Sequence, residues 1–213
     1  MQTMSRADVW ASIHRERAAL ADDLATLTPR QWSAPSLCGR WSVEEVVAHL
    51  TAAANIGRGR WIRSMIGARF DADLHNQRRM QEYRGAGPAE TLARFRAAVP
   101  NTVAPSGHTP AWLGEVVVHG TDIRAPLGLS GGPAITSVTE VARFFAARDF
   151  TVAGRTATAG LHLRATDGPF DTGSGPEVRG TTLALVMAMA GRSRHGAELS
   201  GPGVAILRDR TDT

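Results

Sequence analysis

Hydrophobic positions recur at helical spacing through the first two thirds of the chain. Trp10, Ile13, Leu20, Leu24 and Leu27 fall three, four or seven residues apart within 5–27, with charges between them, and predict a first helix. Thr28-Pro29 opens a short helical turn carrying Trp32, and residues 33–40 read as a loop. Ser42 with Glu45 forms a capping box, so a second long helix starts there and is expected to run to about Gly67. Val46, Leu50 and Ala53 would form its buried stripe, with His49 on the same side. Residues 68–88 are polar and interrupted by Gly85, Gly87 and Pro88. They predict an irregular or partly helical excursion over the open end of a bundle, with His75 at the surface. Pro88 opens a third long helix with Leu92, Phe95 and Val99 on one face, closed by Pro100. Thr109 as N-cap, Pro110 in the first turn, and Pro126 and Gly128 at the exit predict a fourth over 110–125.

Gly128 to Pro133 reads as a linker, after which the pattern changes. Residues 137–149 suit a helix, while Leu161, Leu163 and Ala165 alternate with polar residues as a half-buried strand does, ended by Asp167-Gly168. Glu177 to Arg179 reads as a second strand. A helix capped by Thr181 or Thr182 and stopped at Gly191 follows, and Val204-Ala205-Ile206-Leu207 reads as a further strand. The expected fold class is α+β, with a four-helix bundle over residues 1–130 and a small α+β domain over 131–213.

Glu115, His119 and Asp122 share one face of the fourth predicted helix, at steps of four and three. A carboxylate four residues before an imidazole can close on one metal ion, although such a pair alone is more often a hydrogen-bonding pair. Three features favour ligation here. Trp112, Val116 and Ile123 make the surroundings apolar; Gly114 and Gly120 suit close packing; and His49 supplies a third ligand. A lone histidine on an apolar face is ordinarily a satisfied core residue. Joined to Glu115 and His119 it completes a His2Glu set with one position open, the catalytic arrangement for zinc. The same ligands suit nickel or iron(II), so zinc is the first choice among several. Asp122 is expected to orient His119, since metal-bound imidazoles usually donate their other nitrogen to an oxygen.

The stretches Gly39-Arg40-Trp41-Ser42-Val43, Val46-Val47-Ala48-His49-Leu50, and Glu115 to Arg124 with Pro126-Leu127-Gly128 closely resemble the mycothiol-dependent maleylpyruvate isomerase family. That family is related to the DinB-like metal-binding four-helix bundles. Ala165-Thr166-Asp167-Gly168, Gly175 to Gly180, Gly191-Arg192 and Leu199-Ser200-Gly201 resemble its C-terminal domain, so the likeness runs nearly end to end. It implies a metal-dependent enzyme with mycothiol as cofactor. The activated sulfur would add to the cis double bond of an enoyl diacid, permit rotation and leave; relatives use such a sulfur for transfer. The resemblance also implies an arginine needed for activity in the tail. Arg192 is the candidate carboxylate clamp, with Arg179, Arg194 and Arg208 as rivals and helix capping as its plain structural role. The alternative function is a non-catalytic DinB-like protein that binds a metal or small ligand.

The 213 residues, 43% of them hydrophobic, provide core enough for a larger and a smaller domain. No apolar run approaches the ~18 residues of a membrane span and no signal peptide precedes the first helix, so a cytoplasmic protein without a membrane partner is expected. Cys38, the single cysteine, excludes internal disulfides; it reads as a small buried filler, with a reactive thiol beside the metal as the sharper alternative. The pI near 10.7 is inflated, because all 24 basic residues are arginine while the formal charge is only +4. Without a basic stripe or reading motif, no nucleic-acid partner is expected. Between Arg58 and Arg84 arginines outnumber acids, which reads as a solvated face or as a rim attracting an anionic substrate or thiol. The expected partners are a small thiol and a small acidic or electrophilic substrate, for a monomer or homodimer.

Overall fold

Ser5 caps the first helix, α1 (Arg6–Ala25), by exchanging bonds with Asp8: its hydroxyl accepts the Asp8 amide, and the Asp8 carboxylate accepts the Ser5 amide. The computed structural model describes residues 4–39, 41–192 and 197–211. Arg40, from the motif before the second helix, and Arg194, one of the rival arginines, lie outside the described residues. The fold is α+β, in two compact units: Ser5–Gly132, and a second that takes Met4 with the described residues from Pro133 onward.

In the first unit α1 is followed by α2 (Pro29–Trp32), α3 (Val43–Asn55), α4 (Arg58–Gly67), α5 (Ala72–Tyr83), α6 (Pro88–Ala98) and α7 (Thr109–Leu127). α1 packs on α6 and α7, and α3 on α5, α6 and α7. Their shared core includes Ile13, Leu20, Val46, Val47, Phe95 and Leu113, all essentially inaccessible to solvent. Truncating Phe95 to alanine there would cost about 3–5 kcal/mol.

The second long helix is shorter than its capping box and apolar run suggest. It stops at Asn55, whose side-chain amide donates to the Thr51 carbonyl, and Ile56 and Gly57 take extended conformations before α4 begins. Glycine at 57 and 59 is a poor helix former, so the pattern restarts rather than continues. The excursion after it is more ordered than expected: the Asp71 side chain accepts the Leu74 amide and starts α5, which packs on α3. In α7, His108 occupies the N-cap position and Thr109 is the first helical residue, so the expected Thr109 cap is corrected by one position. The helix also runs through Pro126 before Gly128, at φ 62, turns it off in the left-handed region.

The second unit contains α8 (Ile135–Ala147), α9 (Gly154–Thr158), β1 (His162–Ala165), β2 (Asp171–Gly173), β3 (Glu177–Gly180), α10 (Thr182–Met189) and α11 (Val204–Thr211). The sheet order is β2-β1-β3: β1 pairs antiparallel with β2, Leu163 opposite Thr172, and parallel with β3, Leu163 opposite Val178. Leu163 and Val178 are buried, and α10 packs beside both β1 and β3. β2 is exposed at every residue, so no hydrophobic alternation announced it. The run Val204 to Leu207 is helical, correcting the expected strand; a four-residue apolar run suits either state. Of the residues in α11, only Leu207 is buried. α10 stops as expected at Gly191: its amide donates to the Ala188 carbonyl, and its φ of 75 turns the chain so that the Arg192 amide reaches that of Met187.

Candidate metal centre

The capping box at Ser42 fixes where α3 begins: Ser42 accepts the Glu45 amide at 3.3 Å, and the Glu45 carboxylate accepts the Ser42 amide at 2.8 Å. Two turns later His49 projects toward α7, which carries Glu115 and His119. His49 Nε2 and His119 Nε2 each lie 3.4 Å from the same Glu115 oxygen, Oε2. Their rings stand edge to face, 4.9 Å apart at 80°. The three residues expected to form the ligand set are thus brought together, and their potential ligand atoms lie within 4.8 Å of one another.

Asp122, fully buried, stands behind His119: Nδ1 donates to its Oδ2 at 3.1 Å. A carboxylate accepts only, so this bond assigns the Nδ1 proton and turns the other nitrogen of the ring toward Glu115. The Trp41 ring lies 5.0 Å from that of His49 and forms an apolar wall. Gly120 permits the close approach foreseen for α7: a Cβ there would stand 3.8 Å from Leu20 of α1 and 3.0 Å from the Arg124 guanidinium.

Electrostatics follow from this arrangement. Burial would raise the Glu115 carboxyl, but hydrogen bonds and positive charge from His119 and His49 outweigh it and hold the group well below the usual carboxylate range. Burial would likewise lower His119, yet its bonds to Asp122, Cys38 and Glu115 raise it well above 6.5. His49 goes the other way, lowered by burial and by the His119 charge against the pull of Glu115. Without metal the cluster is therefore a neutral His49 beside a charged His119, with carboxylates on both of its nitrogens. Two imidazoles and one carboxylate, already converging and backed by a carboxylate on the outer nitrogen, fit a divalent ion with a position left for a further ligand.

Cys38 belongs to this neighbourhood, which the sequence raised only as the sharper alternative. Its sulfur, a His119 nitrogen and an Asp122 oxygen lie within 4.8 Å of one another. The loop is held by the Ser36 hydroxyl, which donates to the Trp41 carbonyl and accepts the Cys38 amide, and by the Leu37 amide, which donates to the Asp122 carbonyl. Cys38 is half-buried rather than a fully buried filler.

His75 corrects a surface assignment. It is only 6% exposed; its Nδ1 lies 2.9 Å from the Ser64 hydroxyl and its ring 6.2 Å from that of Trp61. Burial, then Arg79 and His49, lower its pKa. Its sequence surroundings are polar, and its burial depends on the separate helix α4, so no local signal marked it. Arg192 is half-buried, and its guanidinium donates to the Ala190 carbonyl at 2.7 Å, the capping contact its position after Gly191 suggested. The rivals Arg179 and Arg208 are exposed, on β3 and α11.

A helical bundle holding an interior cluster of two histidines and a glutamate, continued by a small α+β unit, defines the class of protein. Residues 13–112 match the family described as Mycothiol maleylpyruvate isomerase N-terminal domain. The match includes His49 and ends before Glu115 and His119, whose part rests on the geometry above. Two solved structures share the fold: the mycothiol-dependent maleylpyruvate isomerase and a histidine-to-alanine mutant of it. Each superposes with a TM-score of 0.62 at 14% identity, over 95% of this chain and 96% of its own. No curated protein matches the chain.

Proposed function

We propose that the protein is a metal-dependent enzyme that uses mycothiol or a similar small thiol as nucleophile, for isomerisation or transfer on a small electrophilic acid, like maleylpyruvate isomerase. The observation that carries this reading is the convergence of His49 Nε2 and His119 Nε2 on one oxygen of Glu115. Mycothiol and isomerisation are supported by the family that residues 13–112 match and by what the two similar structures are named for.

His49, Glu115 and His119 would hold the ion, zinc in this reading. When bound, a divalent ion supplies the charge that ionises a thiol at neutral pH. Asp122 keeps the Nδ1 proton of His119 in place, so that Nε2 is the nitrogen available for ligation. Trp41 shields His49 from water. Arg192 is proposed to grip a carboxylate of the thiol or substrate, since one bond to sulfur does not orient a diacid and a planar guanidinium can hold a carboxylate by two hydrogen bonds.

The test is metal analysis of the purified protein, followed by calorimetry with mycothiol, glutathione and bacillithiol. About one divalent ion per chain and a metal-dependent heat with mycothiol are expected. Stoichiometric metal with no response to any of the three thiols would favour the non-catalytic binding protein instead.

A further inference from the structure

The second feature of the first unit that calls for a ligand is the outer face of α4. This helix buries none of its residues. Trp61 and Ile62 are exposed, Ile66 is 58% exposed, and Phe70, just past the helix end, is 74% exposed. Phe70 is not loosely placed: its amide donates to the Met65 carbonyl, the Arg69 amide donates to that of Ile66, and both residues are held at positive φ, 54 and 64. Side chains rarely adopt that conformation, yet here it carries a large apolar ring outward.

The other face of α4 is occupied. Arg60 bonds Glu82 and Tyr83, and Ser64 bonds His75, all on α5. At 100° per residue, Ile62 and Ile66 stand together away from those contacts, with Arg58 on one side of the pair and Arg63 on the other. The side chains of Arg58, Arg63 and Arg69 make no hydrogen bond or ion pair among the described residues. The charge is concentrated as well: residues 58–84 hold seven arginines against three acids, the same excess of four that the whole chain carries, so the rest of the sequence is balanced.

An apolar stripe with unpaired arginines along both edges requires a partner that is negatively charged outside and apolar beneath. A second copy on a twofold axis would bring the same arginine-edged face against itself, with no acidic side chain on the stripe to balance the charge. Nucleic acid offers the charge, but nothing for two aliphatic isoleucines to enter. We infer that α4 and Phe70 dock the protein onto an anionic phospholipid surface. Ile62, Ile66 and Phe70 enter the acyl boundary, and the three arginines lie along the headgroup phosphates. No helix among the described residues is long and apolar enough to cross a membrane, and a ten-residue helix lying on one leaves no such run in the sequence. The expectation of no membrane partner rested on that missing run, and peripheral docking is a mode of contact that such a run does not test.

The experiment is flotation of the full-length protein with phosphatidylcholine vesicles, with and without phosphatidylglycerol. Binding is expected only when phosphatidylglycerol is present, weakening as salt rises. The variant Ile66→Ser/Phe70→Ser should lower the partition coefficient at least tenfold while keeping the far-UV spectrum of the parent. Failure to float with phosphatidylglycerol vesicles at low salt overturns the proposal. So does undiminished flotation of the double variant, which would reduce the effect to plain charge attraction. Sedimentation of the free protein supplies the remaining arm: a concentration-dependent dimer abolished by the same two substitutions would assign the face to a second copy and overturn lipid docking.

Discussion

The Leu37 amide donates to the backbone carbonyl of Asp122 at 3.0 Å, and Pro126 makes that bond possible. Within a helix the Asp122 carbonyl would normally accept the amide of residue 126, but proline has none and its ring pushes that carbonyl aside. The freed acceptor ties the Cys38 loop to the site helix, one residue from Cys38 and on the residue that supports His119. Replacing Leu37 with proline removes the donor and leaves the carbonyl of a fully buried residue without its partner. The free energy of unfolding in urea should fall by about 1–3 kcal/mol. Unchanged stability would mean that the loop is held by the Ser36 bonds alone.

Metal affinity should separate the cluster into ranks. His49→Ala and His119→Ala are expected to abolish tight binding, whereas Asp122→Asn, which keeps the shape and one acceptor oxygen, should weaken it about 10–100-fold. Cys38→Ala should leave affinity within a few-fold of the parent, because the proposed ligand set does not include the sulfur. Competition with a chromophoric chelator measures all four. A collapse in Cys38→Ala matching that of the histidine variants would move the metal toward the alternative set of Cys38, His119 and Asp122.

How much of this was legible follows from distance along the chain. Glu115, His119 and Asp122 were readable because helical periodicity places them on one face, a purely local rule. His49 lies 66 residues before Glu115, and only the chemistry of the donor set joined them. The Cys38 position depends on a bond between residues 37 and 122 released by a proline at 126, and no periodic signal encodes such a relation. Ile56 to Gly59 misled because the apolar pattern resumes beyond the break. Val204 to Leu207 misled because its length fits both states.

Acid and alkali should act on the metal-free protein through different groups. His119 is raised in the folded state, so its contribution to stability is fully present below the unfolded value of 6.5 and is lost as pH rises through the raised value. Glu115 is lowered, so its contribution is present above 4.5 and is lost as pH falls toward the lowered value. His49 is lowered as well and adds to the acid loss below 6.5, because only the unfolded chain protonates it readily there. Urea unfolding across pH should show both flanks, and His119→Gln should flatten the alkaline one. Metal must displace the His119 Nε2 proton, so binding near neutral pH should release about one proton. Calorimetry in two buffers of different ionisation enthalpy counts it, and a count of zero would contradict a charged His119.

Arg192 distinguishes a clamp from a cap. Gly191 turns the chain into the left-handed region, the Arg192 amide closes the last turn of α10 on Met187, and the guanidinium donates to the Ala190 carbonyl. These contacts account for a cation here without any role in catalysis, since positive charge at a helix C-terminus is favoured by about 0.3–1 kcal/mol. Lysine keeps the charge, the backbone amide and a donor within reach of the same carbonyl, but not the planar fork that holds both oxygens of a carboxylate. Arg192→Lys should therefore leave the melting temperature nearly unchanged if capping is all that matters, and thiol-dependent turnover unchanged with it. If Arg192 grips a carboxylate, the melting temperature still holds, while turnover or ligand affinity falls at least tenfold, about 1.4 kcal/mol. We expect the second pattern. Equal activity of the lysine variant would confine Arg192 to the end of α10, and the same substitution at Arg179 and Arg208 would then show whether either of them supplies the grip.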